Sequence, residues 1–250
     1  MDKKEVKKTI EWIKDYFKKC SFAKGAVVGM SGGKDSFVVA KLCVEALGKD
    51  NVLGVIMPNG QMTDYSDAKK SCEFLGIRYT TVDIADGYNG IIKSIEPYLK
   101  QNGVPLSSVS TINTAPRIRM TTLYALAGSL DYLVANTSNL SEAEVGYTTK
   151  WGDNVGDFAP IANWTKNEVC EIGLLLGLPE NLINKTPSDG LSGKSDEEKL
   201  GFSYDELDAY IRNGIKGKNF DTILSKNNNS NHKRNGVSKY ENNLINHFKK

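Results

Sequence analysis

An apolar run, Ala26-Val27-Val28-Gly29-Met30, passes into Ser31-Gly32-Gly33-Lys34-Asp35-Ser36 and then into the helical pattern Phe37-Val38-Val39-Ala40-Lys41-Leu42. A buried strand, a glycine turn and a helix start in that order confine the chain to folds in which a strand's carboxyl end opens onto a helix N-terminus. Such a junction attracts phosphate. Adjacent glycines let backbone N–H groups turn toward an anion, and the dipole and free N–H groups of the new helix add to the attraction. Ser31 and Ser36 add hydroxyl donors. A Walker A loop is excluded, because Lys34 is followed by Asp35 instead of Ser or Thr. An acid at a phosphate site implies a metal cation between the two. The bland alternative is an ordinary glycine turn, and the strand before it and helix after it weigh against that.

The rest of the chain alternates in the same sense. Val6, Ile10, Ile13 and Phe17 recur at helical spacing, so an amphipathic helix opens the sequence. Strands are expected at Ala26 to Gly29, Val52 to Met57, Arg78 to Ile84 and Tyr132 to Ala135, with helices at Ser36 to Leu47, Tyr65 to Leu75, Gly90 to Lys100 and Ala115 to Leu130. Apolar strands separated by helical patterns imply an α/β fold, a doubly wound and mainly parallel sheet with helices on both faces. Ligands bind such sheets beyond the carboxyl ends of the strands. Three of those ends carry polar or glycine-bearing strings: Ser31 to Ser36, Pro58 to Gln61, and Asn136 to Asn139. After Glu144 two long polar segments, Gly146 to Pro160 and Thr186 to Gly201, flank a helix at Lys166 to Leu176. A short helix at Tyr204 to Ile211, an Asn-rich stretch at Lys226 to Asn235 and a last helix near Tyr240 to Phe248 follow. The expectation is one domain over residues 1–250, with mobile loops at about 186–201 and 226–237.

Composition narrows the class. A formal net charge of +2 gives no support for a nucleic-acid partner, and the basic clusters at both ends read as solvated faces or tails. No apolar stretch approaches the roughly 20 residues that cross a membrane, and the lysine-rich start lacks the apolar core of a signal peptide. Cys20, Cys43, Cys72 and Cys170 are widely spaced and read as reduced thiols, so a cytoplasmic protein without membrane or nucleic-acid partners is expected.

Two further groups of residues bear on chemistry. Thr137-Ser138-Asn139-Leu140-Ser141-Glu142 follows a strand end and starts a helix, which brings a hydroxyl and a carboxylate toward the same phosphate region. Glu142 can then complete a Mg²⁺ site with Asp35, since two acids, phosphate oxygens and waters suffice for this ion; simple charge complementation at a helix N-terminus is the alternative. Asn113-Thr114-Ala115-Pro116-Arg117-Ile118-Arg119-Met120 reads as a helix start whose two arginines point in different directions, one to structure and one to a ligand. Lys150-Trp151-Gly152-Asp153-Asn154-Val155-Gly156-Asp157 combines a cation, an aromatic face and two acids, and by itself fits a solvated loop equally well.

Taken together these strings resemble a known family. Ser-Gly-Gly-x-Asp-Ser is similar to the pyrophosphate loop of the ATP pyrophosphatase superfamily. The order and spacing of Ser31 to Ser36, Asn113 to Met120, Thr137 to Glu142, Lys150 to Pro160, Lys166, Pro187-Ser188-Asp189, Asp196 to Tyr204 and His232-Lys233-Arg234 resemble the ammonia-dependent NAD synthetases over about residues 5 to 248. The resemblance implies an adenine nucleotide alpha hydrolase-like fold and a ligase that forms a C–N bond. It implies that ATP, the co-substrate, contacts Gly29, Met30, Ser31, Gly32, Gly33, Lys34, Asp35, Ser36, Thr137, Lys166 and Ser188. Mg²⁺ would lie on Asp35 and Glu142, and deamido-NAD on Arg117, Lys150, Asp157, His232 and Lys233. The family's homodimer is carried over in the same way. Two strings depart from the family pattern. Gln61 directly follows Gly60, with Met62 in the usual Gln place, and Gly190-Leu191-Ser192-Gly193-Lys194 replaces the usual Leu-Trp segment.

The implied reaction activates the nicotinate carboxylate of deamido-NAD by attack on the α-phosphorus of ATP, releasing pyrophosphate. Ammonia then displaces AMP. Asp35, Lys166 and the glycine-loop N–H groups are the expected catalysts of the first step, because its barrier is electrostatic and positional. Asp153 is the candidate that binds ammonium and takes its proton. No glutaminase domain is expected within these 250 residues. Two rivals share parts of the pattern. RNA-modifying members of the superfamily would show a basic, aromatic-rich surface or paired cysteines, and a non-catalytic nucleotide-binding module would not need Asp35, Glu142 and Lys166 together.

Overall fold

The computed structural model describes residues 2–185 and 195–240. In chain order these form α1 (Lys3–Lys19), β1 (Gly25–Gly29), α2 (Lys34–Leu47), β2 (Val52–Ile56), α3 (Tyr65–Leu75), β3 (Arg78–Thr81), α4 (Ala85–Gln101), α5 (Ser108–Leu130), β4 (Tyr132–Ala135), α6 (Leu140–Val145), α7 (Lys166–Leu175), α8 (Glu180–Ile183), α9 (Asp196–Leu200), α10 (Tyr204–Asn213), α11 (Phe220–Asn229) and α12 (Asn231–Arg234). The sheet order is β3-β2-β1-β4 and every pairing is parallel. Val27 pairs with Leu53 on one side and Val134 on the other.

Both faces of the sheet are covered, as expected for buried parallel strands. Because side chains alternate along a strand, Ala26 and Val28 enter one core with Ile13 of α1 and Phe37, Val38 and Leu42 of α2, whereas Val27, Val55 and Val134 enter a second core with Ala115 and Ala127 of α5. A third, smaller core unites α6, α9, α10 and α11 through Val145, Leu200, Phe202, Tyr204, Leu207 and Ile223. Among the described residues no helix is long and apolar enough to cross a membrane.

Several boundaries differ from the sequence expectation for local reasons. α4 begins at Ala85, five residues before Gly90, because Asp83 Oδ1 accepts the Ala85 N–H at 2.9 Å and starts the helix there. α5 begins at Ser108 and carries Pro116 inside it, since Ser107 caps the helix by accepting the Ser110 N–H at 3.1 Å; the proline that suggested a start costs one helix bond instead. The Asn-rich stretch is corrected more fully, from a spacer loop to the end of α11 and all of α12. Arg234 accounts for this. Its guanidinium donates to the carbonyls of Ala143, Glu144 and Asn227, so contacts distant in sequence override a composition that favours turns. Gly146, at φ +64°, leaves Ser230 the space a side chain would fill. Within the expected 186–201 loop, Asp196–Leu200 is helical. Residues 186–194 and nearly all of the last expected helix lie outside the described residues.

Candidate active site

The strand order creates the site. From β1 the chain runs outward to β2 and β3, then returns to place β4 on the other side of β1, and this reversal opens a crevice at the carboxyl ends of β1 and β4. The loops after both strands, residues 30–33 and 136–139, meet there beside a cleft of about 280 Å³. Gly32 has φ +80° and lies against the Asp64 carbonyl, so any Cβ would both strain the backbone and come within 2.5 Å of that oxygen. The two serines shape the loop. Gly33 N–H donates to Ser31 Oγ at 3.2 Å, and Ser36 Oγ donates to the Gly33 carbonyl at 3.0 Å.

At the mouth of the loop three charges converge. Lys166, the first residue of α7, extends Nζ to Asp35 Oδ2 at 2.5 Å and Glu142 Oε1 at 3.0 Å. Glu142 also forms a capping box with Asn139, so it serves the helix while lining the cleft. Asn139 Nδ2 donates to Asp35 Oδ1 at 3.0 Å. Burial pushes the Glu142 carboxyl up to about 7 against the pull of Lys166. Burial alone would lower the Lys166 ammonium, but Asp35 and Glu142 hold it well above its ordinary value.

Behind this cluster α10 supplies a clamp. Asp208 Oδ1 accepts the Ser141 hydroxyl at 2.5 Å and its Oδ2 accepts the Asn167 N–H at 3.0 Å, while Ser141 Oγ accepts the Lys166 N–H at 2.9 Å. One carboxylate thereby ties the neighbour of Glu142 to the neighbour of Lys166. Asn139 and Asp208 were not singled out from the sequence. The Asn-x-x-Glu spacing of a capping box was a readable signal for the first; nothing local marks the second.

A second group gathers around residues 146–150, next in the chain to Asp153 of the cleft. Arg117 Nε donates to the Lys150 carbonyl at 3.2 Å, Lys150 Nζ to the His232 carbonyl at 2.5 Å, and Lys233 Nζ to the carbonyls of Gly146 and Thr148, each at 2.7 Å. These contacts bring Arg117, Lys150, His232 and Lys233 together. Arg119 turns the other way, its Nε donating to the Met57 carbonyl at 3.0 Å. Thr137 and Lys34 line the cleft. Asp153 also lines it, with Oδ1 accepting the Thr149 N–H at 2.5 Å. The surrounding walls raise its carboxyl, an effect limited by its exposure to solvent. Asp157 stands apart: Oδ2 accepts the Val134 N–H at 2.7 Å and Oδ1 the Tyr124 hydroxyl at 3.2 Å, so both oxygens serve the end of the sheet. Ser188 lies outside the described residues.

A protein-family model described as NAD synthase matches residues 5–250. The chain belongs to the NAD synthase family. Two members similar to it are the NH(3)-dependent NAD(+) synthetases of Finegoldia magna, 41% identical over 92% of this chain and 93% of that protein, and of Pyrococcus furiosus, 44% identical over 83% and 77%. Among solved structures, the NMN synthetase from Francisella tularensis has a TM-score of 0.86 at 33% identity, covering 96% of this chain and 99% of that one. The NH3-dependent NAD synthetase from Campylobacter jejuni has a TM-score of 0.78 at 30% identity over 96% and 100%. The doubly wound architecture expected for an NAD synthase family chain is therefore shared with both.

Proposed function

We propose that this chain makes NAD from deamido-NAD, ATP and ammonia. The observation that carries the reading is the Lys166 ammonium bracketed by Asp35 and Glu142 at the mouth of a glycine phosphate loop. The same pair fits a divalent cation. Two half-buried carboxylates already share one positive charge, and although no group of three or more His, Cys, Asp or Glu side chains suited to a metal occurs among the described residues, Mg²⁺ needs only one or two carboxylates beside phosphate oxygens and water. When bound there, Mg²⁺ would neutralise charge on the triphosphate.

The residues divide the work. Gly29, Met30, Ser31, Gly32, Gly33, Lys34 and Ser36 form the phosphate cradle, with Thr137 and Ser188 as further ATP contacts. Lys166 offsets the charge that develops on the pyrophosphate as the nicotinate oxygen bonds to the α-phosphorus and the bridging P–O bond breaks. Arg117, Lys150, His232 and Lys233 hold the second nucleotide; Asp157, whose carboxylate is engaged by β4, contributes by fixing its loop. Asp153 takes a proton from ammonium, the lone pair of the resulting ammonia attacks the acyl carbon, and AMP leaves as the new amide nitrogen gives up a second proton to solvent. A homodimer is part of the reading. α4 buries none of its residues, and Tyr98 is 69% and Ile112 of α5 62% exposed, an apolar face suited to a second copy. A cytoplasmic location accords with four free cysteines.

The test is mass spectrometry of products after incubation with ATP, Mg²⁺, ammonium and deamido-NAD, with nicotinate mononucleotide in a parallel arm because one similar structure is an NMN synthetase. Equal amounts of NAD, AMP and pyrophosphate are expected, with NAD absent when any component is omitted and pyrophosphate limited to a single turnover when ammonium alone is left out. ADP and phosphate as products, or amidation of the mononucleotide alone, would overturn the assignment.

A further inference from the structure

Tyr204 stands directly behind the charged cluster and has no role in the reading above. It opens α10, where its N–H donates to Glu197 Oε1 at 2.7 Å, and its side chain is packed in the third core with Val145 and Leu200. Only 3% of it is exposed, yet its hydroxyl has no hydrogen-bond partner among the described residues. Phenylalanine would fill the same space without an orphaned polar group, and a buried hydroxyl left unpaired is costly, so the oxygen calls for a partner in some other state of the protein. The ring already lies 5.2 Å from Lys166 Nζ, within reach of a cation–π contact. Of the charged groups that act on the phenol, Asp196 has Oδ1 engaged by the Tyr147 hydroxyl at 3.1 Å, and Asp35 and Glu142 are occupied by Lys166.

We propose that Tyr204 is a positioning residue whose hydroxyl oxygen accepts the Lys166 ammonium when a divalent cation takes its place between Asp35 and Glu142. This rests on the reading of those two acids as the metal pair. A cation drawn to both carboxylates removes both present acceptors of Lys166 Nζ. The flexible four-carbon stem then carries the ammonium toward the ring that already faces it, with one N–H on the phenol oxygen and the others turned to phosphate. No bond is made or broken. Because the hydroxyl has no partner among the described residues while Lys166 rests on Asp35 and Glu142, and gains one when a cation displaces that lysine, removing it weakens the loaded state alone.

Tyr204→Phe tests this through calorimetric binding of MnATP and, in EDTA, of metal-free ATP, with the second substrate absent. MnATP should bind about tenfold more weakly to the variant, the scale of one hydrogen bond to a charged group. Metal-free ATP affinity should stay within twofold, and the metal-free protein should melt at or above the wild-type temperature. Unchanged MnATP affinity would reduce Tyr204 to packing and overturn the proposal. So would an equal loss for both ligands, or a lower melting temperature without metal, which would mean that the hydroxyl was already paired. If the wild type binds metal-free ATP as tightly as MnATP, the metal pair itself is wrong and both readings fall.

Discussion

Asn139 is fully buried and does two jobs with one amide: its oxygen caps α6 and its nitrogen holds Asp35. Substitutions can separate them. Asn139→Ser should keep the cap, since Ser is nearly as good at that position, and should lie within about 1 kcal/mol of wild type, whereas Asn139→Ala should lose roughly a further 1 kcal/mol. Both variants free Asp35, and kcat at saturating ATP should fall roughly tenfold in each as the carboxylate loses its orientation. Thermal melts and steady-state kinetics read the two effects independently; a fully active Asn139→Ser would show that Asp35 needs no such support. At this scale the sequence disclosed the charged residues better than the neutral ones that aim them. Asp35 and Glu142 declare themselves by standing at strand ends beside glycines and hydroxyls. Asp208 acts from 67 residues beyond Ser141 through a single contact, and no local pattern announces such a partner.

Between elements, the register of α7 against α10 depends on Arg212, whose Nε and Nη2 grip the two oxygens of Glu168 at 2.7 and 2.5 Å. Burial would raise the Glu168 carboxyl, but Arg212 and the Thr165 N–H outweigh it and hold the group below its ordinary value. A carboxyl lowered by folding stabilises the protein above its unfolded pKa, and that contribution fades as the pH falls through the lowered folded value. Glu168→Gln should therefore melt below wild type at neutral pH, by about 1 kcal/mol or less because both groups are partly exposed. The two proteins should converge as the pH is taken below the usual carboxylate range. Melting curves across that range check the sign, and a constant difference at every pH would deny the ion pair its role. Helix type and existence were legible wherever an element met the sheet, as with α2 and α3, since periodicity reports burial. They were not legible in α11 and α12, where Asn227 and Arg234 are ordered by the Glu144 carbonyl of α6 and not by any pattern of their own.

For the molecule as a whole, the exposed face of α4 and α5 makes the proposed dimer testable: the wild type should sediment as a dimer and Ile112→Lys as a monomer with the fold intact, whereas a monomeric wild type would overturn the dimer and an unchanged dimeric variant would move the interface elsewhere. The nitrogen source is equally open to test. Burial pushes the thiols of Cys43 and Cys72 up to about 12 and raises that of Cys170, which leaves these three unfit as nucleophiles for releasing ammonia from glutamine. The purified chain should form NAD from ammonium chloride and not from ammonia-free glutamine, with each product measured by chromatography; equal rates would require an amidase centre beyond these thiols. The alternation of strands and helices made the parallel sheet readable from sequence, but the order of strands was not, because parallel pairing leaves no mark on either partner. That order also governs when the protein becomes competent. β1 and β4 are neighbours in space and about 100 residues apart in the chain, and high contact order of this kind slows folding, since the entropy of closing so long a loop is lost before any pairing is gained. Lys166 and Glu142, which follow β4 in the chain, are expected to join the phosphate loop only once that strand has docked. Nucleotide binding in a refolding experiment should accordingly appear with the slowest phase, and the ligand should act as a latch that favours the closed sheet over every earlier intermediate.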